Sequence, residues 1–144
     1  MIKLRRAKRK DVNAVFSLGK KTPELNFQKN IHFHEKSELL EWVKHSKDNV
    51  FIVAECEKKI VGFLYAKIVS HDWCILDNIA VLPSFRGNGV GRLLLNYFYN
   101  VMKQNKVTYV GLLVEPRHKK AISFWEKNNF KRGKNFIWYG KKIK

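Results

Sequence analysis

Around Pro83 the sequence passes from a strand pattern to a helix pattern, and it does so across three glycines. Asn78-Ile79-Ala80-Val81-Leu82 reads as the end of a buried strand, Pro83 breaks it, and Gly87, Gly89 and Gly91 open a helix. Behind them Val90, Leu93, Leu94, Tyr97, Phe98, Val101 and Met102 recur at the spacing of one buried helical face. A strand delivered into a helix in this way belongs to α/β architecture. A glycine-rich helix start turns unpaired backbone N–H groups outward, and the helix dipole adds partial positive charge there. With Arg86 and Arg92 alongside, the junction forms an anion site, and phosphate is its expected ligand.

Two phosphate motifs are excluded. A P-loop needs Lys and Ser or Thr after its last glycine, whereas Gly91 is followed by Arg92-Leu93. The dinucleotide fingerprint needs a small residue three positions after its second glycine, where Arg92 stands.

The rest of the chain supplies a mixed sheet. Ile2 and Leu4 alternate with Lys3 and Arg5 as a half-exposed strand, and Asp11 offers an N-cap to a helix bearing Val12, Val15 and Phe16. Thr22 to His34 reads as loop, and a second helix begins at Ser37 with Leu39, Leu40 and Val43 on its apolar stripe. Val50–Ala54 and Lys59–Val69 predict an antiparallel hairpin, followed by a strand over Trp73–Leu82. Thr108–Val114 predicts a strand covered on both faces, and Ala121–Trp125 a helix stopped at Asn128-Asn129. Two short strands are expected within Phe130–Lys144. The expected class is a mixed α/β (α+β) sheet in the order β-α-α-β-β-β-α-β-α-β-β, forming one domain over residues 1–144.

Of the 144 residues, 45% are hydrophobic and 13% aromatic, enough for a core and too many for a disordered chain. The formal net charge of +17 admits a nucleic acid, an anionic surface or an anionic small ligand as partner, or a merely solvated face. No run approaches the ~18 apolar residues of a membrane span, and the basic start lacks the apolar run of a secretory signal. With two cysteines, Cys56 and Cys74, there is no disulfide framework, and a reduced cytoplasmic setting is expected. His32, His34 and Glu35 fall short of a metal motif, so no metal is expected.

Arg86-Gly-Asn-Gly-Val-Gly91 resembles the Arg/Gln-x-x-Gly-x-Gly/Ala pyrophosphate loop of the GNAT superfamily of acyl-CoA-dependent N-acetyltransferases. A second segment, His118-Lys-Lys-Ala-Ile-Ser-Phe-Trp-Glu-Lys-Asn-Asn-Phe130, is similar to the family's Asn-x-x-Ala-x-x-Phe/Leu-Tyr-x-x-x-Gly-Phe motif. The element order also matches, so the resemblance spans nearly the whole chain.

The resemblance implies acetyl-CoA as cosubstrate and an amine as acceptor: a protein N-terminus, a lysine or a small amine. It implies that Ile79, Ala80 and Val81 bind the pantetheine arm through their backbone. Arg86, Gly87, Asn88, Gly89, Val90, Gly91 and Arg92 would hold the pyrophosphate, with Lys119 and Lys120 bordering it. His118, Phe124 and Trp125 complete the cofactor side, while His32, His34 and Glu35 fall where the family builds its acceptor site.

The chain also departs from the pattern. Trp125 stands where many relatives carry a tyrosine general acid, and an indole N–H is no proton source near neutrality. Leu113 replaces a glutamate base found in some relatives. Asp77 is the leading candidate base and His118 the second, while Tyr139 offers a phenol and proton transfer through solvent needs no residue at all. Two alternatives follow from these departures and from the charge: an acyl-CoA sensor without catalysis, and a basic nucleic-acid-associated protein.

Overall fold

The computed structural model describes residues 1–25, 33–44 and 47–144, which divide into two compact units, Met1–Leu113 and Val114–Lys144. The first holds a sheet in the order β1-β2-β3-β4-β5, formed by Ile2–Arg6, Asn49–Cys56, Lys59–Ser70, Trp73–Val81 and Tyr109–Gly111. The first four strands pair antiparallel, and β5 joins β4 in parallel. Its helices are α1 (Val12–Lys20), α2 (Lys36–Lys44) and α3 (Val90–Gln104).

Helices cover both faces of β2 and β3, which explains why these strands read as continuous apolar runs. On one face Phe51, Val53, Phe63 and Tyr65 pack into a buried cluster with Val15 of α1 and Leu39 of α2. The alternate positions Ile52, Leu64 and Ala66 are equally buried on the other side. There Gly62 lets α3 approach: a Cβ would lie 3.0 Å from the Ala80 carbonyl oxygen and 3.3 Å from Leu94 Cδ1. The hairpin between β2 and β3 turns through Glu57 and Lys58, both with positive φ, as a tight two-residue turn requires.

Asp11 sits at the N-cap of α1 but makes no cap hydrogen bond within that helix. Its carboxylate instead accepts two bonds from Arg5, at 2.7 and 2.9 Å, and one from the Lys8 N–H at 2.7 Å. Arg5 also reaches Glu55 on β2. Burial pushes the Asp11 carboxyl upward, but the Arg5 and Lys8 hydrogen bonds and the charges of Arg5 and Lys10 outweigh it. The net result lies below the ordinary carboxylate value.

The second unit contains α4, Lys119–Lys127. Asn129 takes the left-handed conformation expected of it (φ +67°). Phe130 N–H then bonds to the Trp125 carbonyl and Asn129 N–H to that of Glu126, a Schellman closure. The Phe130 ring packs edge-on against buried Trp125, 5.0 Å between centroids.

Two sequence expectations are corrected. β5 is limited to Tyr109–Gly111 rather than Thr108–Val114, and it is half-exposed because, among the described residues, β4 is its one neighbour in the sheet. The two closing strands do not form: residues 131–144 carry no regular secondary structure, and Phe136 and Tyr139 are exposed. This stretch holds Lys131, Arg132, Lys134, Lys141, Lys142 and Lys144 with no acid, so a hairpin would set like charges across its strands. Among the described residues no helix is long and apolar enough to cross a membrane.

Candidate active site

Two irregularities of β4 build the site. The parallel ladder joins Trp73, Cys74 and Ile75 to Tyr109, Val110 and Gly111 and goes no further, so Leu76–Val81 carries no β5 partner. That leaves one side of the strand open for an extended ligand to add as a strand would. On the β3 side Asn78 pairs with Tyr65 but Leu76 pairs with Ala66, leaving Asp77 as a bulge with no opposite residue. Neighbours Tyr65 and Ala66 point to opposite faces, so the bulge switches the face that β4 presents.

The strand then runs into the glycine turn. Gly87 (φ +79°) and Gly89 (φ +80°) are left-handed, and Gly89 is the N-cap of α3. Among the described residues no atom lies within 4 Å of a Cβ built on either, so the backbone faces open space. Arg86 Nε donates to the Val81 carbonyl at 2.9 Å, tying the loop to the strand end. Arg86, Asn88 and Arg92 are exposed, and the first-turn N–H groups of α3 lack intrahelical acceptors. This donor set, backbone N–H groups with guanidinium charge, fits the phosphates of a coenzyme.

On the face covered by α1 and α2, the bulge neighbours an aromatic and acidic cluster. Trp42 of α2 stacks flat on Tyr65, 3.5 Å between centroids and 7° between planes. His34 stands edge-on to Trp42 at 4.5 Å, and its Nδ1 lies 3.0 Å from Glu38 Oε2. The other Glu38 oxygen accepts a bond from the Glu35 N–H at 3.4 Å. Asn78 is buried, and its Oδ1 has no partner among the described residues.

The Asp77 side chain is open to solvent at the surface, yet surrounding protein removes part of its hydration. That desolvation raises its pKa above the ordinary carboxylate value, and the charges of Lys67 and His34 pull it partly back. Burial pushes the Tyr65 phenol upward, and the charges of Asp77 and Glu38 push it further.

Of the expected acceptor residues, His34 joins this cluster, Glu35 stands at its edge, and His32 lies outside the described residues. His118 is the N-cap of α4 in the second unit, its Nε2 3.3 Å from Glu115 Oε2. Phe124 and Trp125 pack edge-on in the same helix. Cys74 is buried with its thiol pushed up to about 11, which makes it an inert apolar residue. Among the described residues no three His, Cys, Asp or Glu side chains gather as a metal group. Glu38, Trp42, Tyr65 and Asn78 carry no motif in the sequence. The four-residue spacing from His34 to Glu38 is the one signal that pairs them before the fold is seen.

A mixed sheet with a parted strand pair and a glycine-turned helix start fits an acyl-coenzyme-A-dependent transferase. The acetyltransferase (GNAT) family model matches residues 13–130, and the chain belongs to this family. It is an acetyl-CoA-dependent N-acetyltransferase. Over 135 residues it is 24% identical to the uncharacterized N-acetyltransferase ycf52 of Pyropia yezoensis, covering 80% of this chain and 76% of that one. Over 97 residues it is 26% identical to the uncharacterized N-acetyltransferase YhfO of Bacillus subtilis, covering 64% and 65%. Its fold is similar to that of the PaiA N-acetyltransferase of Thermoplasma acidophilum in complex with coenzyme A. The TM-score there is 0.81 at 21% identity, over 91% of this chain and 90% of that one.

Proposed function

We propose that the chain moves an acetyl group from acetyl-CoA to a primary amine by direct attack within a ternary complex, and that residues 1–144 work as one domain. The family match supports the single domain, since it runs across both units from 13 to 130. The acceptor is a protein N-terminus, a lysine or a small amine.

The observation that carries this reading is the position of Asp77, bulged on the strand whose β5 partner ends at Ile75. Backbone groups of Ile79 and Val81 turn to the open side, while those of Ala80 between them turn to β3, and residues 86–92 follow with N–H groups and arginines. Of these, the Val81 carbonyl already accepts from Arg86, so the loop and the strand end bind as one piece.

Acetyl-CoA supplies an activated acyl carbon with a good leaving group. What remains for the protein is to place the amine and remove its proton, because an alkylamine arrives as ammonium near neutrality. Asp77 receives the ammonium, and its raised pKa makes it a better proton acceptor than an ordinary carboxylate. His118 is the second candidate. The test is coenzyme A release from acetyl-CoA against peptides with free N-termini, lysine peptides and small diamines. At least one class is expected to support turnover, and acetyl-CoA bound but never consumed would contradict the reading.

A further inference from the structure

The Glu38–His34 pair has a geometry that neither the family match nor the glycine loop requires. Glu38 holds one oxygen on the His34 imidazole and the other on the Glu35 N–H at the start of α2. Both oxygens of an ionised carboxylate only accept hydrogen bonds, so the His34 proton sits on Nδ1. In the neutral imidazole that leaves Nε2 with a lone pair. The ring is held edge-on by Phe33 at 5.5 Å and by Trp42 at 4.5 Å, and Trp42 is stacked on Tyr65, the strand neighbour of the Asp77 bulge.

A carboxylate that fixes the tautomer and orientation of an imidazole is the arrangement that prepares a histidine to take a proton. We propose that His34 Nε2 accepts the proton the acceptor ammonium must lose, with Glu38 as its positioning residue and Asp77 holding the ammonium. This rests on the acetyltransferase reading above and moves the proton-accepting role from Asp77, which keeps the ammonium, to His34. Asn78 Oδ1, buried beside Tyr65 without a partner among the described residues, is a further acceptor on that face.

One N–H proton moves from the ammonium to Nε2, giving a neutral amine and an imidazolium whose charge Glu38 and Asp77 offset. The nitrogen lone pair then forms the N–C bond at the thioester carbon, and the C–S bond breaks with its electron pair leaving on sulfur. A second nitrogen proton passes to that sulfur to give the thiol, and the imidazolium returns its proton to water. Among the described residues, the charged and titratable groups tied to His34 are Glu38 and, through it, Glu35 from the α2 side, Tyr65 of β3 across Trp42, and Asp77 of β4.

The test follows kcat and KM against pH for wild type, His34→Gln, Glu38→Gln and Glu38→Asp, with acetyl-CoA and either a free-N-terminus tripeptide or 1,4-diaminobutane. A second readout is the 15N shift of the His34 ring, which reports the tautomer without turnover. His34→Gln is expected to lower kcat by roughly 10²-fold and to abolish the acid-side ionisation in kcat, with KM for acetyl-CoA unchanged. Glu38→Gln should lower kcat about tenfold and shift protonation away from Nδ1, while Glu38→Asp restores part of both. A wild-type rate and pH profile in His34→Gln, or an Nε2-protonated ring in wild type, overturns this proposal alone. Wild type that consumes acetyl-CoA with no acceptor overturns the transferase reading and this proposal with it.

Discussion

Asn78 stands directly opposite Tyr65 in the ladder between β3 and β4, and its neighbour Asp77 stands opposite nothing. The bulge leaves a carboxylate partly stripped of water on the strand that approaches the glycine loop. An ionised group placed there is a liability to the fold and an asset to the chemistry.

The Asp77→Asn variant tests both halves. The folded pKa of Asp77 is raised, so between the ordinary value of 3.8 and the raised one the native state binds more protons than the unfolded state. Stability therefore falls as pH rises through that window and stays lower above it. Asp77→Asn should melt higher than wild type at pH 7 and match it below pH 3.8, where the wild-type group is neutral, while kcat/KM drops by roughly 10²-fold. Thermal melts and initial rates across pH read both effects.

The Arg5 network has the opposite sign. Arg5 joins Asp11, which is 4% exposed, to Glu55. The lowered Asp11 pKa contributes stability above its unfolded value, and that stability is lost as pH falls through the folded value. Replacing Arg5 by Met leaves two carboxylates without their cation and should cost about 3 kcal/mol in urea unfolding at pH 7. The loss should shrink at acid pH, where Asp11 is protonated.

Gly19→Ala should disturb the site from below. A Cβ there would lie 2.4 Å from the Phe33 ring, which sits in the buried cluster next to His34. We expect destabilisation of about 2 kcal/mol by overpacking and a reduced kcat, with KM for acetyl-CoA little changed. Chemical denaturation with steady-state kinetics separates the two.

Much of this molecule is legible in the sequence because its signals are local. Three glycines beside arginines, the apolar period of α3 and the Asn128-Asn129 stop each act within a few residues, and each marks the element found. The bulge at Asp77 is different. It depends on which residues of β3 lie opposite which residues of β4, a pairing that no window of either strand contains. The same reason hides Tyr65 and Trp42, which look like ordinary core aromatics until the sheet brings them beside His34. The closing strands fail for a related cause: the apolar run at Phe136–Tyr139 has strand composition, but a strand exists only with a partner for its backbone.

Gly89→Ala isolates the coenzyme loop from the rest of the site. Its φ of +80° disfavours any L side chain, while no atom of the described residues lies in the way of a Cβ. The expected result is about 1 kcal/mol of destabilisation and a several-fold rise in KM for acetyl-CoA, with the acceptor KM unchanged.

The central claim is acetyl transfer to an amine at the Asp77 bulge, with the coenzyme held by the glycine loop. Coenzyme A release, followed with acetyl-CoA and the acceptor panel for wild type, Asp77→Asn and Arg86→Ala, tests it most directly. The account predicts acceptor-dependent release in wild type, a loss of kcat in Asp77→Asn, and a raised KM for acetyl-CoA in Arg86→Ala. Release that is indifferent to every amine, or unchanged in both variants, would contradict it.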